Sequence, residues 1–402
     1  MVNRVISMFR GHPNKVVDTE KSNRHWAYVI GLGMALTPIH NLWLTNLSTN
    51  SKGETLFFLP AFGTAIWLIA TLWFLLDSWK KGSDWKEWLG DWRIFVPLLI
   101  IVLFMGISGL VTGKTLGGKF APLFMGVSLF AVYVAARRLG AILFRALIPF
   151  VILGAVVAVV LGILHPGLPT SQVAGLITNY AANAGFLIFG AVVNQGKWQW
   201  VLVAIALVGV FFIGALEAAF IVTVLGITVI ARRDFSRRFL TVAGIAVGLV
   251  GLWALLGYLV PLYKGNNNLN VLFNLNTPDA LNNLTTDRWG VILNSLRDIR
   301  FFGHGYTLNV GTQIVGNTVH NIPLIIVYQI GPIAGLAWLL VSIFCLTGTK
   351  WKYAWIALLA MCVFDHYFWT QLYPLWWCLI GVSCTSSIKN DLIFREAKAN
   401  VT

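Results

Sequence analysis

The sequence predicts an all-α integral membrane protein with about twelve transmembrane helices. Hydrophobic residues make up 57% of the 402 residues and charged residues only 11%, whereas soluble domains carry about 25% charged residues. The hydrophobic residues fall into about twelve windows of roughly 20 residues, the length that crosses the hydrocarbon core of a bilayer. The distribution of the basic residues independently fits an even number of crossings.

The predicted helices follow one another along the chain, so a single membrane domain covering residues 1–402 is the simplest organisation. We interpret the segment 197–233 as two short spans that meet near Gly214. A single span there would move Arg232 and its basic neighbours to the outer side. The spans are predicted at residues 24–44, 55–77, 93–112, 119–137, 141–164, 172–193, 198–213, 215–231, 238–260, 322–346, 352–369 and 373–388.

Lysine and arginine favour one side of this arrangement. If the N-terminus is cytoplasmic and the chain crosses at every span, 22 of the 29 Lys and Arg residues lie in inner segments and 7 in outer ones. The positive-inside rule therefore predicts cytoplasmic termini and an outward-facing loop at residues 261–321. The net charge of +14 follows from this topology and from attraction to anionic membrane lipid, and it does not indicate a nucleic-acid partner.

The loop at 261–321 is the long polar stretch in which function is first expected. It contains Arg288 at the head of an amphipathic segment and ends at His320-Asn321, directly before an apolar helix. A histidine in that setting is partly desolvated but reachable, which suits a general base. An arginine suits a diphosphate because its fork of donors matches the phosphate oxygens. The alternative for His320 is a structural role at the start of the helix.

Several other polar residues are expected toward the outer side. Glu217 and Asp365 lie in apolar surroundings, where an ionisable group is costly and marks either a site or a buried ion pair. Lys114 and Lys119 flank a glycine-rich turn and form a second candidate anion contact, although the turn lacks the residue order of a nucleotide-binding loop. No spacing of metal-ligating residues indicates a metal site, and the four cysteines fit small apolar fillers.

The order of these motifs resembles the O-antigen ligase family, in the ligase/polymerase superfamily of bacterial surface glycans. The resembling pieces are Arg288-Trp289 with Leu293 and Leu296, Gly303-His304-Gly305-Tyr306, His320-Asn321, residues 329–336 and Asp365-His366-Tyr367-Phe368-Trp369-Thr370. The resemblance implies a C-type glycosyltransferase in a bacterial inner membrane, with its site facing the periplasm and with no metal or cofactor. His320 would be the base on an acceptor hydroxyl and Arg288 would bind the diphosphate of a polyprenyl-linked glycan donor. The supporting residues would be Asn321, Glu217, Asp365, His366 and His304.

One position departs from the family, whose members commonly carry a Ser-Arg pair in the span that here contains Glu217. Another cation would then contact the diphosphate, and the candidates are Lys114, Lys119, Lys264 and Arg297.

The expected reaction is transfer of O-antigen to lipid A-core. A surface-polysaccharide polymerase or a protein O-oligosaccharyltransferase stays open, because the motifs do not specify the acceptor. From a different class, a flippase or transporter of lipid-linked glycan would also show about twelve spans and intramembrane carboxylates. The large external loop and the lack of a visible sequence repeat favour the enzyme.

Overall fold

The structure is a computed structural model, and it describes residues 13–36, 62–82, 88–164, 180–193, 199–206, 295–306, 321–349, 351–364, 369 and 373–385. Every regular element in these ranges is helical and none is a strand, which confirms the all-α prediction for this part of the chain. The helices are α1 (Pro13–Leu36), α2 (Phe62–Lys80), α3 (Trp92–Thr112), α4 (Leu116–Leu139), α5 (Ala141–Leu164), α6 (Tyr180–Val193), α7 (Ile322–Ile330), α8 (Pro332–Gly348), α9 (Lys352–Phe364) and α10 (Tyr373–Ser383).

Two of these helices, α3 and α4, are long and apolar enough to cross a membrane. Their bounds agree closely with the spans predicted at 93–112 and 119–137, and α5 coincides with the span predicted at 141–164. The prediction of one span at 322–346 is wrong, because the structure divides it into α7 and α8. The spans predicted at 215–231 and 238–260 lie outside the described residues.

Side-chain caps fix where α3 and α4 begin. The Asp91 carboxylate accepts a hydrogen bond from the backbone N–H of Arg93 at 2.9 Å, and its second oxygen lies 2.6 Å from the Arg93 guanidinium. These contacts with Arg93 lower the pKa of Asp91 below its ordinary value. At the start of α4 the Thr115 hydroxyl accepts from the Gly118 N–H at 3.1 Å. Each cap satisfies a donor that the first helical turn leaves without a partner.

Glycines let α3 and α4 pack closely as a hairpin. A Cβ placed on Gly109 would lie 2.7 Å from the carbonyl oxygen of Lys119, and one on Gly113 would lie 2.6 Å from the Lys119 nitrogen. Farther along the pair, a Cβ on Gly126 would lie 3.1 Å from the Val102 side chain. Small residues that permit such backbone contact are typical of helix pairs in membranes. The packing holds the turn between the two helices against the end of α3.

The helix α10 lies at the centre of the described fold. All of its residues are buried, and a helix that is apolar on every side is buried by its neighbours rather than exposed on one face. By contrast, the outer faces of α3, α4 and α8 present large apolar side chains to the surroundings, including Leu103, Val111, Phe124 and Leu336. Large apolar side chains therefore lie both in the core and on the outside of the bundle.

Contacts at one end of the bundle join the start of α3 to the ends of α4, α8 and α10. The Tyr133 hydroxyl donates to the Leu89 carbonyl at 2.9 Å, and the Thr385 hydroxyl donates to the Arg137 carbonyl at 3.1 Å. The Arg93 guanidinium lies 5.0 Å from the centre of the Phe344 ring. We refer to this end as the basic end, because it carries Arg93, Arg137 and Arg138.

The other ends of the same helices meet at the opposite end of the bundle. The Ser108 hydroxyl of α3 donates to the Gln329 carbonyl at 2.8 Å, and the Thr64 and Tyr373 hydroxyls lie 3.1 Å apart. We call this the loop end, because residues 295–306 of the long polar loop pack there. α3 thus runs from the basic end to the loop end, whereas α4, α8 and α10 run from the loop end to the basic end.

Candidate functional site at the loop end

A break between α7 and α8 forms the framework of the candidate site. Gly331 has a φ of +94°, and Pro332 begins α8, where the missing N–H of proline leaves no donor unpaired. The Gly331 N–H donates to the Val327 carbonyl at 3.0 Å and ends α7. A Cβ on Gly335 would meet the Val327 side chain, so α7 packs back against the first turn of α8. This glycine–proline break is the physical reason why the predicted span at 322–346 is two helices.

The carbonyl groups at the end of α7 accept hydrogen bonds from the polar loop and from α3. The His304 N–H donates to the Tyr328 carbonyl at 2.9 Å, and the Gly305 N–H donates to the Gln329 carbonyl at 3.0 Å. The Ser108 hydroxyl reaches the same Gln329 carbonyl at 2.8 Å. The last carbonyls of a helix have no partner within that helix. The loop and α3 therefore satisfy groups that the break would otherwise leave unpaired.

Two glycines permit this close approach. Gly303 has a φ of +71°, and a Cβ on it would overlap the Gln329 carbonyl. A Cβ on Gly331 would overlap the Phe301 carbonyl in the same way. Left-handed backbone is readily adopted by glycine, and here the neighbouring backbone also leaves no space for a side chain. Glycine at positions 303 and 331 thus allows the loop segment to pack directly against the break.

His304 is fixed in orientation on this segment. Its ring stacks on Tyr328 with the centroids 4.1 Å apart and the planes 12° from parallel. Its Nε2 lies 2.6 Å from the Asp298 carbonyl oxygen and 3.3 Å from a carboxylate oxygen of the same residue. A carbonyl only accepts, so Nε2 carries a proton and the neutral ring has its lone pair on Nδ1. The histidine is held by its stacking and by one donated hydrogen bond.

Gln329 connects three parts of the loop end. It is almost fully buried, and its side-chain oxygen accepts from the Trp369 indole N–H at 3.0 Å. Trp369 in turn contacts Tyr306 edge to face, with the ring centroids 5.9 Å apart. Desolvation at this contact raises the pKa of Tyr306 well above its ordinary value, so its hydroxyl stays protonated. The amide thereby links α7, the polar loop and the chain before α10.

The sequence analysis placed Gln329 and Trp369 within resembling pieces but named neither as a site residue, and it missed Ser108. An amide beside a Gly-Pro pair in an apolar helix was the available signal for Gln329, because a buried amide requires partners. Nothing in the sequence indicated Ser108, whose partner lies 221 residues away.

Two of the predicted site elements meet at the loop end, namely the His304 segment and the turn of Lys114, whereas Asn321 lies at the opposite end of α7. Asn321 caps α7, and its side-chain oxygen accepts from the Leu324 N–H at 2.9 Å. A Cβ on Gly305 would lie 2.6 Å from the Thr112 hydroxyl, so the His304 segment touches the end of α3 just before the turn that carries Lys114. Lys114 is exposed in that turn, and Lys119 is exposed on the first turn of α4. The predicted residues His320, Arg288, Glu217, Asp365 and His366 lie outside the described residues.

Across the described ranges, no three His, Cys, Asp or Glu residues are grouped so that they could hold a metal ion. The expectation of a reaction without a metal stays a prediction, because most of the polar loop falls outside those ranges.

The Ser108 hydroxyl is expected to contribute to stability through its bond to Gln329. Ser108→Ala should lower the free energy of unfolding by about 0.5–1.5 kcal/mol, the typical net value of one such hydrogen bond. Ser128→Ala is the matched control, because Ser128 is also buried in the bundle but donates only to Phe124 of its own helix, at 2.8 Å. Thermal unfolding in one detergent compares the two variants. Equal shifts in the unfolding midpoint would contradict a special role for Ser108.

Comparison with protein-family models, with curated proteins and with solved structures finds no match to this chain.

Proposed function

We propose that this chain is a multi-pass protein of a bacterial inner membrane, with about twelve spans and with the loop at 261–321 in the periplasm. The apolar faces that α3, α4 and α8 expose support a lipid environment, because contact with water would be unfavourable for such large surfaces. The direction of α3, which is opposite to that of α4, α8 and α10, supports the predicted topology. These directions place Arg93, Arg137 and Arg138 at one end of the bundle and Lys114 and Lys119 at the other.

Labelling of introduced cysteines tests this topology. Lys81 and Lys114 are both exposed, and they lie at the basic end and in the outer turn. In spheroplasts, whose inner membrane is intact, a membrane-impermeant maleimide should modify Lys114→Cys. Lys81→Cys should react only after the inner membrane has been permeabilised. Both variants carry Cys384→Ser, because the other native cysteines are buried. Modification of both positions from the same side would overturn the topology and the function proposed with it.

The proposed activity is transfer of a glycan from a polyprenyl-diphosphate donor to an acceptor hydroxyl, with lipid A-core as the expected acceptor and O-antigen as the expected glycan. The observation that carries this proposal is the meeting of three motifs that are far apart in the sequence. Residues 303–306 contact the end of α7 through Tyr328 and Gln329, and Trp369 contacts both groups. These are pieces of the pattern that resembles the O-antigen ligase family, and such convergence is what a shared site requires.

The proposed chemistry needs a base and a group that stabilises the leaving diphosphate. His320 would accept the proton of the acceptor hydroxyl while the oxygen attacks the anomeric carbon of the donor sugar. The bond from that carbon to the diphosphate oxygen breaks, and polyprenyl diphosphate leaves with the bonding electrons. Arg288 would bind the diphosphate, with Lys114 or Lys119 supplying the further positive charge that Glu217 does not.

Purified protein in detergent, mixed with a polyprenyl-diphosphate glycan and candidate acceptors, tests the activity. Mass analysis should show glycan attached to lipid A-core and an equal amount of polyprenyl diphosphate released. Glycan joined to glycan would indicate a polymerase, and glycan joined to a serine or threonine peptide would indicate a protein O-oligosaccharyltransferase. A transporter forms no covalent product in this mixture, so unchanged donor in the presence of all acceptors would reject the enzyme.

A further inference from the structure

The loop end contains a contact that joins two parts of the proposed site. The segment that docks on the helix break follows Arg288 in the chain, and the helix whose carbonyls it covers follows His320. Asn321, the neighbour of His320, is the cap of that same helix. A displacement of the docked segment therefore changes the distance and orientation between the chain that follows Arg288 and the chain that follows His320.

We infer that residues 303–305 and Ser108, bound to the carbonyls of Tyr328 and Gln329, form a clamp that positions the two halves of the proposed site relative to each other. The kinetic part of this inference rests on the proposed function, whereas the docking itself does not. The clamp consists of the donors from His304, Gly305 and Ser108 to the last carbonyls of α7, at 2.8 to 3.0 Å.

Three observations argue for a clamp rather than an incidental contact. The segment meets the break at two positions where a side chain would overlap backbone, Gly303 and Gly331. The acceptor groups are those that a broken helix leaves without partners, and such groups are costly inside a protein or a membrane. The ring of Phe104 on α3 also packs against Phe301 and Phe302, with centroids 6.5 and 6.4 Å away.

The clamp can act on rate because transfer requires the base and the diphosphate contact in one geometry. A displacement of about 1 Å far from the reacting atoms can reduce turnover by about 100-fold. The residues of the clamp need not touch the substrate to have this effect. They are positioning residues, and their loss should lower kcat more than it changes donor binding.

Gly303→Ala is the variant that removes the clamp, and Gly82→Ala is its matched control. Both glycines have a positive φ, +71° and +76°, so alanine strains the backbone at both positions. Only the methyl group at 303 overlaps backbone, because a Cβ on Gly82 meets nothing within 4 Å. The comparison therefore separates loss of docking from strain alone. Ser108→Ala is a milder second variant if Gly303→Ala does not fold.

Hydrogen–deuterium exchange of the purified proteins reports docking without any assay of activity. In the wild type the amides of His304 and Gly305 should exchange slowly, because both are hydrogen-bonded to α7. Gly303→Ala should accelerate exchange of these amides by about tenfold or more, and Gly82→Ala should not. Fast exchange at 304 and 305 in the wild type would overturn the clamp.

Turnover per folded molecule reports positioning. For Gly303→Ala we expect kcat to fall by about 10–100-fold while the donor KM changes less than about threefold. A purely structural role would reduce the amount of folded enzyme and leave kcat per folded molecule unchanged, and that result would overturn the positioning role. If the wild type forms no product, the proposed function and the positioning role fail together. The docking is still decided by the exchange rates.

Discussion

Replacement of His320 by glutamine is expected to lower kcat by about 10²–10⁴-fold while the protein stays folded and binds donor. Glutamine can donate and accept hydrogen bonds, but it cannot take up a proton near neutral pH. The variant therefore preserves a role in hydrogen bonding and removes a role as base. Single-turnover rates with saturating acceptor, together with a separate measurement of donor binding, distinguish the two roles. His25→Gln is the control, because His25 is an exposed histidine on α1, away from the loop end.

The same hypothesis predicts the pH dependence of the wild type. Only the neutral imidazole accepts a proton, so kcat should fall as the pH is lowered through the range in which histidine titrates, about 6–7. The fall should be absent from the residual activity of His320→Gln. A folded His320→Gln enzyme with wild-type turnover would show that His320 serves only the start of α7.

How well the sequence predicted the fold depended on the kind of helix. The bounds of α3, α4 and α5 were predicted to within a few residues, because each is a long apolar segment bordered by glycine or by charged residues. The break at Gly331 was missed because the hydropathy of 322–346 is uniform across it. The hydrophobicity of a window reflects its transfer to lipid, and it does not reveal a helix break that glycine and proline produce together.

Prediction of the candidate site was limited in a different way. Lys114 was named from a local signal, its place beside a glycine-rich turn on the predicted outer side, whereas His304 and Asn321 were named through the resemblance to the O-antigen ligase family. Ser108 had no such signal, because its partner is the Gln329 carbonyl and the pairing exists only in the fold. A hydroxyl in an apolar helix otherwise bonds to its own backbone, as Ser342 does with Trp338 at 2.8 Å.

Replacement of Arg288 is expected to have the second-largest effect on turnover. Arg288→Ala should lower kcat/KM by about 10²–10³-fold, the range observed when one donor to a developing negative charge is removed. Arg288→Lys keeps the charge but loses the paired N–H groups that match two phosphate oxygens. Its kcat/KM should therefore stay about tenfold below that of the wild type. Arg93→Ala at the basic end is the control, because Arg93 pairs with Asp91 and lies far from the proposed donor site.

Inhibition by polyprenyl diphosphate and by free glycan tests the proposed contact with diphosphate more directly than the loss of rate does. If Arg288 binds the diphosphate, Arg288→Ala should weaken inhibition by polyprenyl diphosphate about as much as it weakens use of the donor, because both share that group. Inhibition by the free glycan should be unchanged, since it lacks phosphate. Loss of rate with undiminished inhibition by polyprenyl diphosphate would move Arg288 away from the leaving group. The positive charge required at that point would then come from one of the other candidate cations, Lys114, Lys119, Lys264 or Arg297.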